Sequence, residues 1–166
     1  MKSASKLVFI GGAPGVGKSE VASILLKKLD DCIWLDADNI WNMNPFVVDN
    51  RTKSMVEQNV INLLRSYLEH GFSYILFTWV LHSEHIVQRI LEGLGNYDFA
   101  FEHFTLVCDE HTLRERISSD TGRGLDFDLA VRRLNQSLDV KSERVDTVGL
   151  TPDDVANRLK NRIISK

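Results

Sequence analysis

The residues with the clearest chemical meaning lie near the start of the chain, in the segment GAPGVGKS at residues 12–19. The spacing G-x-x-x-x-G-K-[S/T] lets successive backbone N–H groups approach phosphate oxygens, because glycine has no side chain to block them. Lys18 supplies a charge for the β- and γ-phosphates, and the Ser19 hydroxyl is a ligand type for Mg²⁺. The segment lies between a predicted strand and a predicted helix, whose N-terminus favours the same anion. We therefore expect ATP or GTP with Mg²⁺ to contact Gly12, Ala13, Pro14, Gly15, Val16, Gly17, Lys18, Ser19 and Glu20.

Two carboxylates follow the second predicted strand, in the segment WLDADNIW. Ligands of open α/β sheets bind beyond the carboxyl ends of the strands. In an extended chain the side chains of residues i and i+2 point to the same side, so Asp36 and Asp38 are expected to face the phosphates together. One can hold the water shell of Mg²⁺, and the other can accept a proton from a substrate hydroxyl. Turn formation at Asp38-Asn39 is the alternative, since both residue types favour turns.

The third predicted strand carries Thr78 at the place where ATPases of this loop type have an aspartate that helps to hold Mg²⁺. A hydroxyl can bond a metal-bound water, but it supplies no charge. This disfavours a motor or an AAA-type ATPase, and it shifts the acidic role to the carboxylates after the second strand. Near the same edge, Trp41, Phe46 and Trp79 either pack against a substrate ring or cover the core.

Arginines follow the fourth predicted strand, in the segment DEHTLRERISSDTGRG. Arg123 lies between two glycines in a polar stretch between two helices, and we predict a lid over about residues 119–126. A guanidinium group matches the charge that develops on phosphoryl oxygens, and a closed lid would exclude water. A solvated surface loop is the alternative. Arg51, which follows the loop after the second strand, is a candidate contact for an anionic substrate.

Apolar runs of strand length alternate with helical periods along the chain, which predicts an α/β fold with a parallel sheet and crossover helices. Two helices are expected at about Lys18–Leu29 and Thr52–His70, and Thr151 with Asp154 predicts a capping box at the start of the last helix. No linker or repeat interrupts residues 1–166, so we expect one domain. The predicted strands are KLVFIGG, CIWLDAD, SYILFTWV, FEHFTLVC and ERVDTVGL.

Composition narrows the function classes. The net charge is −3, which disfavours the basic field that captures nucleic acid. No apolar run approaches the roughly 20 residues that span a bilayer, and the start of the chain has too few apolar residues for a secretory signal. Cys32 and Cys108 lie within apolar runs, where we expect reduced thiols. These features predict a cytoplasmic protein without nucleic-acid or membrane partners.

The motifs resemble those of small P-loop kinases of the nucleoside-monophosphate-kinase type, and among them shikimate kinases, gluconate kinases and chloramphenicol phosphotransferases. The resemblance runs through GGAPGVGKSE, LDADNIW, LRERISSDTGRG and VDTVGLTPDDVANRL. It implies a three-layer P-loop NTPase fold with a five-stranded parallel sheet of order 2-3-1-4-5 and a short lid. It is weaker on the acceptor side, because Thr78-Trp79-Val80 replaces the Gly-Gly pair of shikimate kinases and the lid lacks their proline.

The resemblance also implies roles for individual residues. Asp38 is similar to the catalytic base and Asp36 to the residue on the metal side. Arg116 resembles the arginine that stacks on adenine, and Arg123 the lid arginine. The adenine pocket would be completed by Thr147, Val148, Gly149 and Leu150.

The sequence thus predicts a phosphotransferase that moves the γ-phosphate of Mg-ATP to a hydroxyl of a small metabolite or antibiotic. The predicted catalytic residues are Lys18, Asp38 and Arg123; the substrate contacts are Asp36, Asp38, Arg51 and Trp79; the metal ligands are Ser19 and Asp36. A nucleoside monophosphate kinase is one alternative, although residues 40–90 offer only Arg51, Arg65 and Arg89 to clasp an acceptor phosphate. The other is an ATP-binding regulator without a small-molecule acceptor. A GTP-dependent switch is disfavoured, since the chain has no N-K-x-D motif.

Overall fold

The computed structural model describes residues 4–165, in which five strands alternate with helices. The strands are β1 Ser5–Gly12, β2 Cys32–Asp36, β3 Tyr74–Thr78, β4 Phe99–Val107 and β5 Glu143–Asp146. The α-helices are α1 Lys18–Lys28, α2 Asn50–His70, α3 Glu84–Leu94, α4 Glu110–Ser119, α5 Phe127–Ser137 and α6 Pro152–Ser165. A short 3-10 helix, Ala37–Trp41, follows β2 directly.

The strands form one parallel sheet of order β2-β3-β1-β4-β5, as the sequence predicted. The central strand β1 is buried on both faces, which explains its unbroken apolar run. Val8 and Ile10 belong to the core under α1 and α6, whereas Leu7 and Phe9 belong to the core under α2 and α3. This alternation gives three layers and brings the carboxyl ends of all five strands to one edge.

Local hydrogen bonds set several boundaries that differ from the predicted ones. β2 ends at Asp36 and not at Asp38, because the Asp36 carboxylate accepts a hydrogen bond of 3.0 Å from the Asp38 backbone N–H and turns the chain. Helix α2 begins at Asn50, two residues before the predicted start. Its N-cap is Asp49, whose Oδ1 accepts a 2.8 Å hydrogen bond from the Thr52 N–H, while Thr52 Oγ1 accepts from the Asp49 N–H at 2.9 Å.

Other sequence expectations are confirmed. At the start of α6 the Thr151 N–H donates to Asp154 Oδ2 at 2.9 Å and the Asp154 N–H donates back to Thr151 Oγ1 at 3.2 Å, which is a capping box. Cys32 and Cys108 are free thiols, the latter buried. Every helix within residues 4–165 is too short or too polar to cross a lipid bilayer.

Candidate active site

The loop between β1 and α1 approaches its neighbours closely at two of its glycines, both of which have a positive φ. Gly12 has φ 141°, and an added Cβ would lie 2.7 Å from the Leu106 carbonyl oxygen. Gly15 has φ 84°, and its Cβ would lie 2.7 Å from Ile117 Cγ1. The loop therefore packs tightly against β4 and α4 on one side.

Lys18 is the first residue of α1 and is buried beneath this loop. Its Nζ donates a hydrogen bond of 2.9 Å to the Ala13 carbonyl oxygen, which holds the side chain across the loop. Burial lowers the pKa of Lys18 to about 8, against the opposing charges of Asp38 and then Asp36, while Arg123 adds to the lowering. The charges that act on the ammonium group thus belong to Asp38 and Arg123, which the sequence assigned to catalysis, and to Asp36, which it assigned to the metal and the substrate.

Asp36 ends β2 beside the start of α1. Its Oδ2 accepts a 2.6 Å hydrogen bond from the Ser19 hydroxyl. Asp36 is also in register with Thr78 at the end of β3, so the two side chains are neighbours on adjacent strands. Thr78 is fully buried and its Oγ1 accepts a 3.0 Å hydrogen bond from Trp34 Nε1. The carboxylate next to Ser19 therefore comes from β2, and the hydroxyl on β3 is engaged by an indole.

Ser19 and Asp36 fit the requirements of Mg²⁺. This ion takes oxygen ligands and is usually held by one or two carboxylates together with the phosphates of a nucleotide. Within residues 4–165 no group of three or more His, Cys, Asp and Glu side chains is placed to hold a metal alone. A hydroxyl and a carboxylate beside a phosphate loop are the donor set expected for an ion that arrives with the nucleotide.

Asp38 lies near Asp36 for a different reason than the one predicted. The chain is not extended there, because Asp38 is in the 3-10 helix that the Asp36 carboxylate caps. Desolvation in the cleft and the charge of Asp36 raise the pKa of Asp38, and Lys18 and Arg123 counteract this. Although its side chain is accessible to solvent, the carboxylate is more basic than an ordinary aspartate.

Arg116 joins the phosphate loop to the segment after β5. Its Nη1 donates to the Val16 carbonyl at 3.0 Å and to Thr147 Oγ1 at 2.9 Å, and its Nη2 donates to the Thr147 carbonyl at 3.0 Å. The planar guanidinium is therefore fixed in one orientation.

The lid predicted over about 119–126 corresponds to the connection between α4 and α5. Arg123 is largely exposed there, and its Nε donates a 2.6 Å hydrogen bond to Asp120 within the same segment. Its charge still acts on Lys18 and Asp38.

Three cavities follow one another along this edge of the sheet. The lid-side cavity, of about 620 Å³, is bounded by the loop, Arg116, residues 119–123, Thr147 and Leu150. Val148 and Gly149, which were predicted to line it, lie outside its wall. The central cavity, of about 270 Å³, contains Lys18, Ser19 and Asp38 in its wall, and shares Arg123 with the lid-side cavity.

The third cavity, of about 480 Å³, is the aromatic cavity, and it shares Pro14, Asp38 and Val80 with the central one. The aromatic residues Trp41, Phe46 and Trp79 all line it, but Arg51 is exposed and lines none of the three cavities. Besides Asp38, the charged residues of its wall come from three different helices. Sequence reasoning considered Arg89 of α3 only as a clasp for an acceptor phosphate, assigned no role to Arg133 of α5, and missed Lys53 and Glu57 of α2.

Solved structures with the same fold belong to proteins of low sequence identity. The Deinococcus radiodurans tunicamycin resistance protein superposes with a TM-score of 0.76 at 20% identity, covering 96% of this chain and 95% of that chain. A gluconokinase from Sinorhizobium meliloti 1021 gives 0.70 at 13% identity, with 99% and 97% covered. Shikimate kinase from Acinetobacter baumannii, in complex with shikimate, gives 0.66 at 16% identity, with 99% and 95% covered.

Sequence comparison supplies the family. No curated protein sequence matches the chain. A family model described as an AAA domain matches residues 8–124. This match assigns the domain family and not an activity, so the expectation drawn from Thr78, which disfavours a motor or an AAA-type ATPase, stays a prediction. The chain belongs to the AAA domain family, and its fold is the one found in small P-loop kinases.

Proposed function

We propose that the protein is an ATP-dependent phosphotransferase that moves the γ-phosphate of Mg-ATP to a hydroxyl group of a small molecule. The observation that carries this proposal is the continuity of the three cavities. The central cavity, which holds Lys18 and Ser19, shares Arg123 with one neighbour and Asp38 with the other. Such an arrangement suits two substrates that meet above the phosphate loop.

The donor occupies the lid-side and central cavities in this proposal. The adenine lies near Arg116 and Thr147, and the phosphates lie on the loop. Ser19 and Asp36 hold Mg²⁺, which neutralises phosphate charge when it is bound. Lys18 and Arg123 add positive charge where negative charge develops on the transferred group.

The acceptor enters from the aromatic cavity, and its hydroxyl lies beside Asp38. Asp38 takes the hydroxyl proton as the acceptor oxygen bonds to the γ-phosphorus, and the bond from this phosphorus to the bridging oxygen of ADP breaks. The raised pKa of Asp38 suits the role, because it makes the carboxylate a stronger base. Leu125 and Arg123 of the lid border the same space and would limit the access of competing water.

Several observations favour a small acceptor. The gluconokinase and the shikimate kinase that share the fold are named as kinases of small molecules, and a third neighbour is named for tunicamycin resistance.

The net charge of −3 supports the absence of a nucleic-acid partner, and the free thiols of Cys32 and Cys108 support a cytoplasmic location. Of the three arginines considered for a nucleoside monophosphate kinase, only Arg89 lines the aromatic cavity, and it forms an ion pair with Glu57.

The test is a screen for ADP release over sugars, sugar acids, antibiotics and nucleotides, with Lys18→Ala as the blank. We expect at least one alcohol to raise the rate well above the blank, with phosphate transferred to that alcohol. If no acceptor raises the rate while ATP still binds tightly, the protein is an ATP-binding regulator instead.

A further inference from the structure

The aromatic cavity combines apolar rings with two cations, Lys53 and Arg133, that form no ion pair within residues 4–165, and we propose that its occupant is an amphipathic alcohol that carries an anionic group. This inference rests on the proposed function, since it treats the cavity as the acceptor site. It goes further by naming the chemistry of the acceptor. The volume of the aromatic cavity, about 480 Å³, lies in the range of small-molecule sites.

The outer wall of the cavity exposes several large apolar side chains. Phe46 is 66% exposed, Val48 is 54% exposed and Leu129 is 36% exposed, and all three line this one cavity. Trp41 lies next to Phe46, with ring centroids 6.2 Å apart, and Trp79 belongs to the same wall. Large apolar side chains that are exposed together mark a binding surface, because a ligand that covers them removes apolar area from water.

The same cavity wall also contains charged side chains. The cavity is lined by two carboxylates, and one of them, Glu57, is already paired with Arg89 at 2.5 Å. Lys53 and Arg133 form no ion pair within the described chain, and Arg133 donates its hydrogen bond to the neutral amide of Gln136 at 2.8 Å. The wall therefore retains two positive charges that a ligand can neutralise.

His82 lines the same cavity as these two cations. Burial is the main cause of the lowered pKa of His82, and the charges of Arg133 and Lys53 lower it further. The two cations come from α5 and α2, and both line this cavity. An anionic group of the acceptor in this part of the cavity would be attracted by both charges. Asp38 lies in the wall shared with the central cavity, so the acceptor hydroxyl belongs at that end.

This chemistry distinguishes among alcohols. A polyhydroxylated sugar acid could satisfy Lys53 and Arg133, but it would leave the rings without an apolar partner. A neutral aromatic alcohol would cover the rings and leave the two cations unpaired. A molecule with an apolar ring system, a carboxylate, sulfonate or phosphate group, and a free hydroxyl satisfies both.

Binding can be tested without turnover by two fluorescent dyes that differ in charge. Anilinonaphthalene sulfonate has the aromatic body and the anion, and phenylnaphthylamine has the same ring system without the anion. We expect Arg133→Met and Lys53→Met each to lower the affinity for the sulfonate dye by roughly tenfold. The affinity for the neutral dye should stay within about twofold of the wild-type value. The matched control is Arg132→Met, because Arg132 is exposed one position away on α5 and lines none of the three cavities.

The apolar contribution has its own pair of variants. Phe46→Ser should lower the affinity for both dyes. Ile164→Ser, which removes an exposed apolar side chain of α6 outside the cavity wall, should lower neither affinity. Saturating Mg-ATP should leave the dyes bound, since the nucleotide occupies the other cavities. Arg133→Met could lower the affinity for both dyes equally, or Mg-ATP could displace the dyes. Either result would overturn the inference. Thermal melts of each variant show that it is folded.

A comparison of three acceptors in an activity assay separates this inference from the proposed function. Hydroxymethylbenzoate, benzyl alcohol and gluconate are compared as acceptors by ADP release. We expect the highest kcat/KM for hydroxymethylbenzoate. Faster transfer to gluconate or to benzyl alcohol would contradict the acceptor class and leave the phosphotransferase standing. Dye selectivity as predicted, without transfer to any alcohol, would support the binding chemistry and contradict the phosphotransferase.

Discussion

The hydroxyl of Ser19 donates a 2.6 Å hydrogen bond to the carboxylate of Asp36. This contact joins the first turn of α1 to the end of β2, next to Thr78 on the neighbouring strand. The acidic side chain beside the phosphate loop therefore comes from β2, and not from β3. The same carboxylate accepts the Asp38 N–H, so one residue positions both a candidate metal ligand and the candidate base.

Asp36→Asn tests this position. The amide can still accept the Asp38 N–H and keep the turn, but it loses the charge that would hold Mg²⁺. We expect the apparent affinity for Mg²⁺ to fall by roughly 10- to 100-fold in a magnesium titration of ADP release at saturating ATP. Asp30→Asn, at an exposed carboxylate, is the control. An unchanged magnesium dependence would remove Asp36 from the metal site.

The pH dependence of kcat/KM for ATP tests Lys18. Below its pKa of about 8 the side chain is charged and binds phosphate, and above that pH it loses the charge. We therefore expect an alkaline limb near pH 8, and an acidic limb above the ordinary aspartate value because the pKa of Asp38 is raised. Lys18→Arg, which stays charged, should lose the alkaline limb. A wild-type profile that is flat through pH 8 would show that Lys18 does not titrate there.

Arg116→Met tests the connection between the loop and the segment after β5. Three hydrogen bonds disappear, and we expect weaker ATP binding together with a loss of about 2 kcal/mol in the free energy of unfolding. Arg116→Lys should recover the charge but not the forked geometry, so its rescue should be partial. Binding is measured by calorimetry and stability by urea unfolding, with Arg132→Met as the control. Full rescue by lysine would mean that only the charge matters.

His103 gives the fold a specific sensitivity to acid. It is buried on β4, and within residues 4–165 neither ring nitrogen makes a hydrogen bond of good geometry. Burial lowers its pKa to about 4, while the charge of Glu84 and a poorly aligned contact with the Lys141 backbone oppose this. The unfolded chain has the ordinary value of 6.5, so it binds more protons between these two pH values. The free energy of unfolding should therefore decrease as the pH falls from 6.5 to about 4, by up to about 3 kcal/mol.

Urea unfolding of His103→Leu at neutral and acidic pH measures this contribution. The variant should lose less stability than the wild type on acidification, and at neutral pH it should be about as stable, because an unbonded polar group has been replaced by an apolar one. His111→Gln, at an exposed position on α4, should keep the wild-type profile. The same acid loss in His103→Leu and the wild type would assign it to other groups.

The elements were predictable from local patterns, but their order in the sheet was not. Alternating apolar runs predict strands and helices wherever they occur, and all five strands lie where they were expected. Nothing in the periodicity places β2 at one edge and β5 at the other; that order came from the resemblance to small P-loop kinases. The start of α2 was missed because the Asp49–Thr52 capping box precedes the apolar stripe.

The candidate site was only partly predictable, for a physical reason. The phosphate loop and Asp36 lie at strand ends, which a parallel sheet brings to one edge. The aromatic cavity instead depends on how α2, α3 and α5 pack. Arg51 was predicted and Lys53 was missed, although both lie in the first turns of α2. Side chains two residues apart on an α-helix differ in direction by roughly 200°, so only one of the two can face the cavity.

The central claim is that phosphate passes from ATP to a hydroxyl held beside Asp38, and one comparison tests it most directly. Transfer of labelled γ-phosphate to the best acceptor of the screen is measured for the wild type and Asp38→Asn, together with the Kd for ATP of each. We predict that turnover falls by roughly 100- to 10,000-fold in the variant while the ATP Kd changes by less than about threefold. Loss of ATP affinity in parallel with turnover, or unchanged turnover, would contradict the assignment of Asp38 as the base.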